Sequence, residues 1–316
     1  MGIQHLSGVI AAPFTPMDRH GDVDISLIPS YYQFLKHNGI SGAFICGSTG
    51  EGASLTSKEK MKVNEAWAAC TKEDASFKVM TLVGGNSLRE CKELAIHARE
   101  TGLYAVSYTS PSYFKPASVK ELADCCLELA EAVQGLPFYY YHIPVLTGVN
   151  FSMLSLLQEI DGKIPNFAGI KYTHEDFMDF LSCQYFQQHK YDMLWGRDEN
   201  MLPALSLGAK AFVGSTFNYA APLYHKLIKA FENGDLPLAS LLQQQSINMI
   251  SLLGKYGGIA TGKAYMKLIG MDCGEFRLPV KNMVGKDWVN FREDVEKIHF
   301  GNFCSQQPGK TSTVPA

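Results

Sequence analysis

The sequence predicts a (β/α)8 TIM barrel with an appended C-terminal helical region. Three observations predict it. Short apolar, β-prone runs alternate eight times with longer amphipathic runs. No linker-like stretch interrupts them over about 250 residues, the usual span of such a barrel. No Gly-x-Gly-x-x-Gly follows the first run, as an open doubly wound sheet would often show.

The strands are expected at 8–12, 42–46, 78–83, 104–108, 137–141, 167–171, 192–195 and 210–214. Seven of them carry Val, Ile, Phe, Tyr or Ala, and 192–195 is Asp-Met-Leu-Trp. Helices are expected at 26–37, 57–70, 87–100, 118–133, 152–159 and 175–187, then from about Glu199 and from about Ala221. Several open on a serine, which accepts a hydrogen bond from a free N–H of the first turn. The division is therefore a barrel over 1–234 and a helical extension over 235–300, which carries a long helical pattern from Leu238 to Leu253. A disordered tail is expected over 301–316, where its polar end carries two prolines.

Composition narrows the function classes. At 46% hydrophobic and 19% charged residues, the chain can bury a core without disulfides or metals. A net charge of -3 provides no basic field for nucleic acid. No apolar run approaches the roughly 18 residues of a membrane span, and no basic region followed by a long apolar stretch stands near Met1, so a secretory signal is not expected. The eight cysteines are scattered, with no Cys-x-x-Cys, and are read as free thiols of a cytoplasmic protein.

In a barrel of this kind, chemistry sits at the C-terminal ends of the strands. Lys171 closes the sixth strand. Apolar walls there would lower its pKa and free an amine for attack on a carbonyl. A strand-end lysine that reaches solvent or pairs with Glu175 is the alternative. Tyr139, Tyr140 and Tyr141 close the fifth strand. By period 2, Tyr141 shares a face with Tyr139, and near the mouth it is placed to relay a proton or simply to pack. His142 faces the other way and is read as structural. Gly47-Ser48-Thr49-Gly50-Glu51-Gly52 follows the second strand, a turn rich in N–H and hydroxyl donors that suits a carboxylate. Gly196-Arg197-Asp198-Glu199 follows the seventh strand, where the acids either accept from sugar hydroxyls or cap the next helix. Gly214-Ser215-Thr216 follows the eighth. His174-Glu175-Asp176 matches no metal-ligand spacing and is read as a helix start.

Taken in order, five blocks resemble the N-acetylneuraminate lyase branch of the dihydrodipicolinate synthase family: GSTGEG at 47–52, YHIPVLTGV at 141–149, GIKYT at 169–173, GRDE at 196–199 and GSTFNY at 214–219. The resemblance runs from about Leu6 to Val284. It implies class I aldol chemistry: Lys171 forms an imine with the keto carbon of an open-chain sialic acid, and the products are pyruvate and an N-acetylated amino sugar. It implies that Tyr141 is the proton shuttle, that Ser48 and Thr49 hold the carboxylate, and that Thr173, Gly196, Asp198, Glu199 and Ser215 bind the sugar. It implies no metal and no organic cofactor. It also implies that Tyr113 enters the site of a neighbouring subunit, in an oligomer that is commonly a tetramer. Dihydrodipicolinate synthases usually carry an arginine where this chain has Leu146, and an apolar side chain cannot bind a second carboxylate. An aldolase for another 2-keto-3-deoxy sugar acid, or that synthase, is the alternative.

Overall fold

A computed structural model describes residues 3–309. Eight parallel strands close into a barrel in sequence order: β1 (Gly8–Ala11), β2 (Gly42–Ile45), β3 (Lys78–Leu82), β4 (Ala105–Tyr108), β5 (Phe138–His142), β6 (Phe167–Tyr172), β7 (Asp192–Trp195) and β8 (Ala211–Gly214). Closure is made by β1 on β8, with Gly8 opposite Ala211 and Ala11 opposite Gly214. The helices that cover the sheet are α1 (Ile28–His37), α2 (Ser57–Thr71), α3 (Leu88–Glu100), α4 (Val119–Ala132), α5 (Pro144–Thr147), α6 (Met153–Ile160), α7 (Phe177–Tyr185), α8 (Met201–Ser206) and α9 (Phe217–Glu232). Beyond them lie α10 (Leu236–Lys255), α11 (Ala260–Leu268) and α12 (Lys286–Lys297).

Local chemistry sets most of these boundaries. Thr56 and Glu59 form a reciprocal capping box at α2, and Ser87, Ser118 and Ser152 cap α3, α4 and α6 through their hydroxyls. Asp176 caps α7, so 174–176 is a helix start as read from the sequence. Two differences stand out. β6 runs one residue past Lys171, because Tyr172 still pairs with His142 and Trp195. α9 opens at Phe217 rather than near Ala221: a first turn precedes a kink at Ala220, two residues before Pro222.

The period-2 alternation separates two apolar clusters. Ile10, Phe44, Met80, Tyr139, Tyr141, Leu194 and Val213 fill the inside of the barrel. Val9, Ile45, Tyr140, Ile170 and Trp195 face the helices. The floor of the barrel is polar. Asp192 at the start of β7 accepts from the Tyr139 hydroxyl at 2.9 Å and from the Leu6 N–H at 3.2 Å, and burial pushes its pKa up to about 6.

The expectation of disorder from residue 301 is corrected. Phe303, Cys304 and Ser305 are buried, and Ser305 is tied to the α9 kink. The Ser305 N–H donates to the Tyr219 carbonyl at 2.8 Å, and Ser305 Oγ accepts from the Ala221 N–H at 3.1 Å. The N–H next to the kinked residue Ala220 is thus met by a buried serine side chain. Residues 310–316 of the expected tail lie outside the described residues.

Candidate active site

Strand register aims Lys171 into the barrel. It pairs with Tyr141 of β5 on one side and Leu194 of β7 on the other, both inward-facing. Lys171 is 4% exposed, and its Nζ lies 3.8 Å from the centre of the Phe44 ring and 4.0 Å from that of Tyr141. The two rings meet edge to face at 5.4 Å. Ring faces attract a cation by about 1–2 kcal/mol, but loss of water costs an ammonium more. Burial wins: the Lys171 pKa is lowered to about 7, with only the Asp198 charge acting the other way. The alternative of a solvent-reaching lysine paired with Glu175 does not hold, because Glu175 pairs with Arg197 at 2.7 Å.

Tyr141 is 4% exposed, and burial pushes its phenol up to about 12. The Ser48 and Thr173 hydroxyls beside it pull in the opposite direction. Thr173 Oγ1 is nonetheless buried without a partner of good hydrogen-bond geometry. A buried unsatisfied hydroxyl costs free energy, and such a group beside the buried Tyr141 is an available contact for a ligand.

The loop after β2 brings Ser48 and Thr49 to the same mouth. Two of its non-glycine residues, Cys46 (φ 55) and Glu51 (φ 57), adopt the left-handed region. A Cβ at Gly52 would collide with the Cys46 carbonyl, so the turn can close only on glycine. The strain at Glu51 is offset by its side chain, which is buried and paired with Lys263 of α11 at 2.7 Å. Its second oxygen accepts from the Arg277 N–H at 2.9 Å.

The loop after β7 supplies Gly196, Asp198 and Glu199. Asp198 opens a short 3-10 helix whose N-cap is Arg197, and Asn200 is the N-cap of α8, so Asp198 caps neither. Its Oδ2 accepts instead from the Thr216 N–H (2.9 Å) and hydroxyl (2.6 Å) after β8, beside Ser215. Burial pushes the Asp198 carboxyl up to about 6. Glu199 is held by Arg197 at 2.6 Å, and the same guanidinium also holds Glu175, which gives Arg197 a bridging role that the sequence did not reveal.

Tyr113 is not among the side chains packed on Lys171. It stands 78% exposed on the rim beside Phe114 (85%), with Asn86 Oδ1 accepting its N–H at 3.1 Å. Leu146 of α5 is also exposed at the rim. His142 is buried among Tyr140, Tyr172 and His174 on the helix side, and burial lowers it to about 4. Among the described residues, no group of three or more His, Cys, Asp or Glu side chains is arranged to hold a metal ion.

Sequence reading missed three contributors. Phe44 could have been found from the inward parity of β2. Lys263 and Tyr224 lie 212 and 26 residues from Glu51 and Asp198 respectively, and no local pattern marks them.

The family match is to the "Dihydrodipicolinate synthetase family", over residues 5–298. The chain belongs to that family. The N-acetylneuraminate lyase of Homo sapiens is 39% identical over 310 residues, 96% of each chain. That of Rattus norvegicus is 37% identical, with the same coverage. The solved N-acetylneuraminate lyase of Proteus mirabilis superposes with a TM-score of 0.90 at 34% identity, covering 94% of this chain and all of that one. As a family member, the chain has at its barrel mouth a buried amine whose pKa is lowered to about 7, a neighbouring phenol and a donor-rich turn. This combination suits imine chemistry on a keto acid.

Proposed function

We propose that the protein cleaves N-acetylneuraminate reversibly to pyruvate and N-acetyl-D-mannosamine through an imine on Lys171. The observation that carries the chemistry is the buried Lys171 amine, lowered to about 7 and seated on Phe44 and Tyr141. The relatives named N-acetylneuraminate lyase, at 37–39% identity over nearly the whole chain, support the choice of sugar.

The neutral amine attacks the C2 keto carbon of the open-chain sugar acid. Loss of water leaves a protonated imine. Tyr141 takes the proton of the C4 hydroxyl, assisted by Ser48 or by the substrate carboxylate. The C3–C4 bond breaks, and its electron pair moves onto the imine to give an enamine. The aldehyde product leaves. Protonation at C3 and hydrolysis then release pyruvate and regenerate Lys171. The Ser48 and Thr49 hydroxyls and the N–H groups of their turn hold the carboxylate. Thr173, the Gly196 carbonyl, Asp198, Glu199 and Ser215 take the hydroxyls of the sugar. With Leu146 at the rim, no arginine stands there for a second carboxylate, which favours a polyol over aspartate semialdehyde.

The working enzyme is a cytoplasmic homo-oligomer, a tetramer, with Tyr113 completing a neighbouring subunit's site. The exposed Tyr113–Phe114 pair and the absence of any disulfide among the eight cysteines support this. Among the described residues, no helix is long and apolar enough to cross a membrane.

Pyruvate release from N-acetylneuraminate, wild type beside Lys171→Ala, tests the proposal. Release by the wild type alone is expected. Absence of release by the wild type sinks the sugar, and borohydride trapping of pyruvate on Lys171 would then decide whether the imine chemistry survives.

A further inference from the structure

The two carboxylate oxygens of Asp198 are used unequally. Oδ2 takes both bonds from Thr216. Oδ1 accepts no hydrogen bond from any described residue and lies against Gly214, where a Cβ would collide with it. The Thr216 hydroxyl has one proton and gives it to Asp198. It must then accept from the Tyr224 hydroxyl, 2.5 Å away, and Tyr224 must accept from Ser246 Oγ at 2.7 Å. With Asp198 ionised the chain has a single direction, from Ser246 through Tyr224 and Thr216 to the carboxylate. Tyr224 and Ser246 are fully buried, so water cannot replace either donor. Ser246 belongs to α10, outside the barrel. Gln243 of the same helix donates to the Asp198 carbonyl at 3.2 Å and accepts from the Leu202 N–H at 2.8 Å, which fixes the backbone of that turn.

We propose that Tyr224 and Ser246 are positioning residues that keep Asp198 a carboxylate with Oδ1 free for a substrate hydroxyl, so that α10 governs sugar affinity from outside the barrel. The proposal rests on the reading above that Asp198 binds the sugar. Two charges face Asp198: Glu199 from its own turn and Lys171 from β6. Tyr141 of β5 and Tyr219 and Tyr224 of α9 face it as neutral phenols. Burial already raises this carboxyl, and the Thr216 bonds oppose that rise. Removal of the donor behind Thr216 weakens those bonds, and the carboxyl then takes up a proton at higher pH.

The experiment uses the full-length enzyme and the variants Tyr224→Phe, Ser246→Ala and Asp198→Asn, with Tyr224→Phe also placed in the Asp198→Asn background. KM and kcat for N-acetylneuraminate are measured across the acid pH range, beside borohydride trapping of pyruvate on Lys171. Tyr224→Phe keeps the ring and is expected to raise KM about tenfold, the scale of one hydrogen bond toward a charged group. It should move the acid-side rise of KM to higher pH and leave pyruvate trapping unchanged. Ser246→Ala should act in the same direction with a smaller effect. In the Asp198→Asn background, Tyr224→Phe should add nothing further. An unchanged KM and pH profile in Tyr224→Phe overturns the proposal, as does an equal loss of pyruvate trapping. If Asp198→Asn itself leaves KM unchanged, Asp198 does not bind sugar, and the proposal falls with that reading. If Asp198→Asn raises KM while Tyr224→Phe does not, the proposal alone fails.

Discussion

A lysine in water is almost wholly charged at neutral pH, and a charged amine cannot attack a carbonyl. Burial of Lys171 in the barrel changes that balance, and among the described residues no carboxylate is in salt-bridge contact with it. Lowered to about 7, its amine is about half neutral at pH 7, whereas an unperturbed lysine is neutral to well under a thousandth. The rate of borohydride-trapped imine formation with pyruvate should therefore rise with pH and level off above a midpoint near 7. A rate still climbing steeply beyond pH 9 would show that Lys171 keeps the ordinary lysine pKa. Tyr141 has the opposite problem: pushed up to about 12, its phenol holds its proton at rest. It can accept a proton from the sugar only as it passes its own on, and Ser48 is the hydroxyl beside it. Tyr141→Phe removes the shuttle but keeps the ring under Lys171, so kcat should fall by roughly 100-fold or more while pyruvate trapping persists. Near-normal turnover in that variant would take Tyr141 out of the relay.

At the scale of elements, the strands were legible and their partners were not. Alternation put Tyr139 and Tyr141 on one face and Tyr140 on the other, and the structure turns the pair into the barrel and Tyr140 toward the helices. Serine caps placed the starts of α3, α4 and α6. Such signals are local and depend only on neighbours in the chain. The turn at 47–52 was recognisable from its glycines, but what holds it was not. Glu51 lies in a strained backbone state and is buried against Lys263 and the Arg277 N–H, more than 200 residues away. Lys263 Nζ also donates to the Glu275 carbonyl at 3.0 Å, and burial lowers its pKa. Removing one partner of a buried pair leaves the other charge uncompensated, which costs about 3–5 kcal/mol. Glu51→Gln and Lys263→Met should each lower the unfolding free energy from denaturant titration by that order and weaken pyruvate trapping, because Ser48 and Thr49 ride on the same turn. The double variant should recover much of the stability, since no lone charge remains. Single variants within about 0.5 kcal/mol of wild type would show that the pair is not needed to close the turn.

The whole molecule depends on its C-terminal quarter more than a barrel alone requires. α11 grips the turn after β2 through Lys263, and α10 grips the turn after β7 through Gln243 and, by way of Tyr224, Ser246. The apolar contacts run the same way. Tyr219 of α9 stacks on Tyr265 of α11 at 4.6 Å, and Phe300 packs against both. Ser305 closes the kink of α9. A sequence with eight strand-helix repeats and no visible linker shows where the barrel ends, but not that both ends of its site are fastened from beyond that point. Cutting the chain after residue 234 would strip Tyr219 of α9, fully buried in the whole protein, of the Tyr265 and Phe300 rings packed on it. It would also leave Glu51 and the Asp198 turn without their partners. Exposed apolar surface of that kind drives association, and a buried charge without its partner drives local unfolding. The 1–234 fragment should therefore show no cooperative thermal transition and no pyruvate trapping, although it holds every strand and Lys171. A soluble fragment that melts cooperatively and still traps pyruvate would show that the barrel shapes its own mouth and that α10 to α12 only cover it.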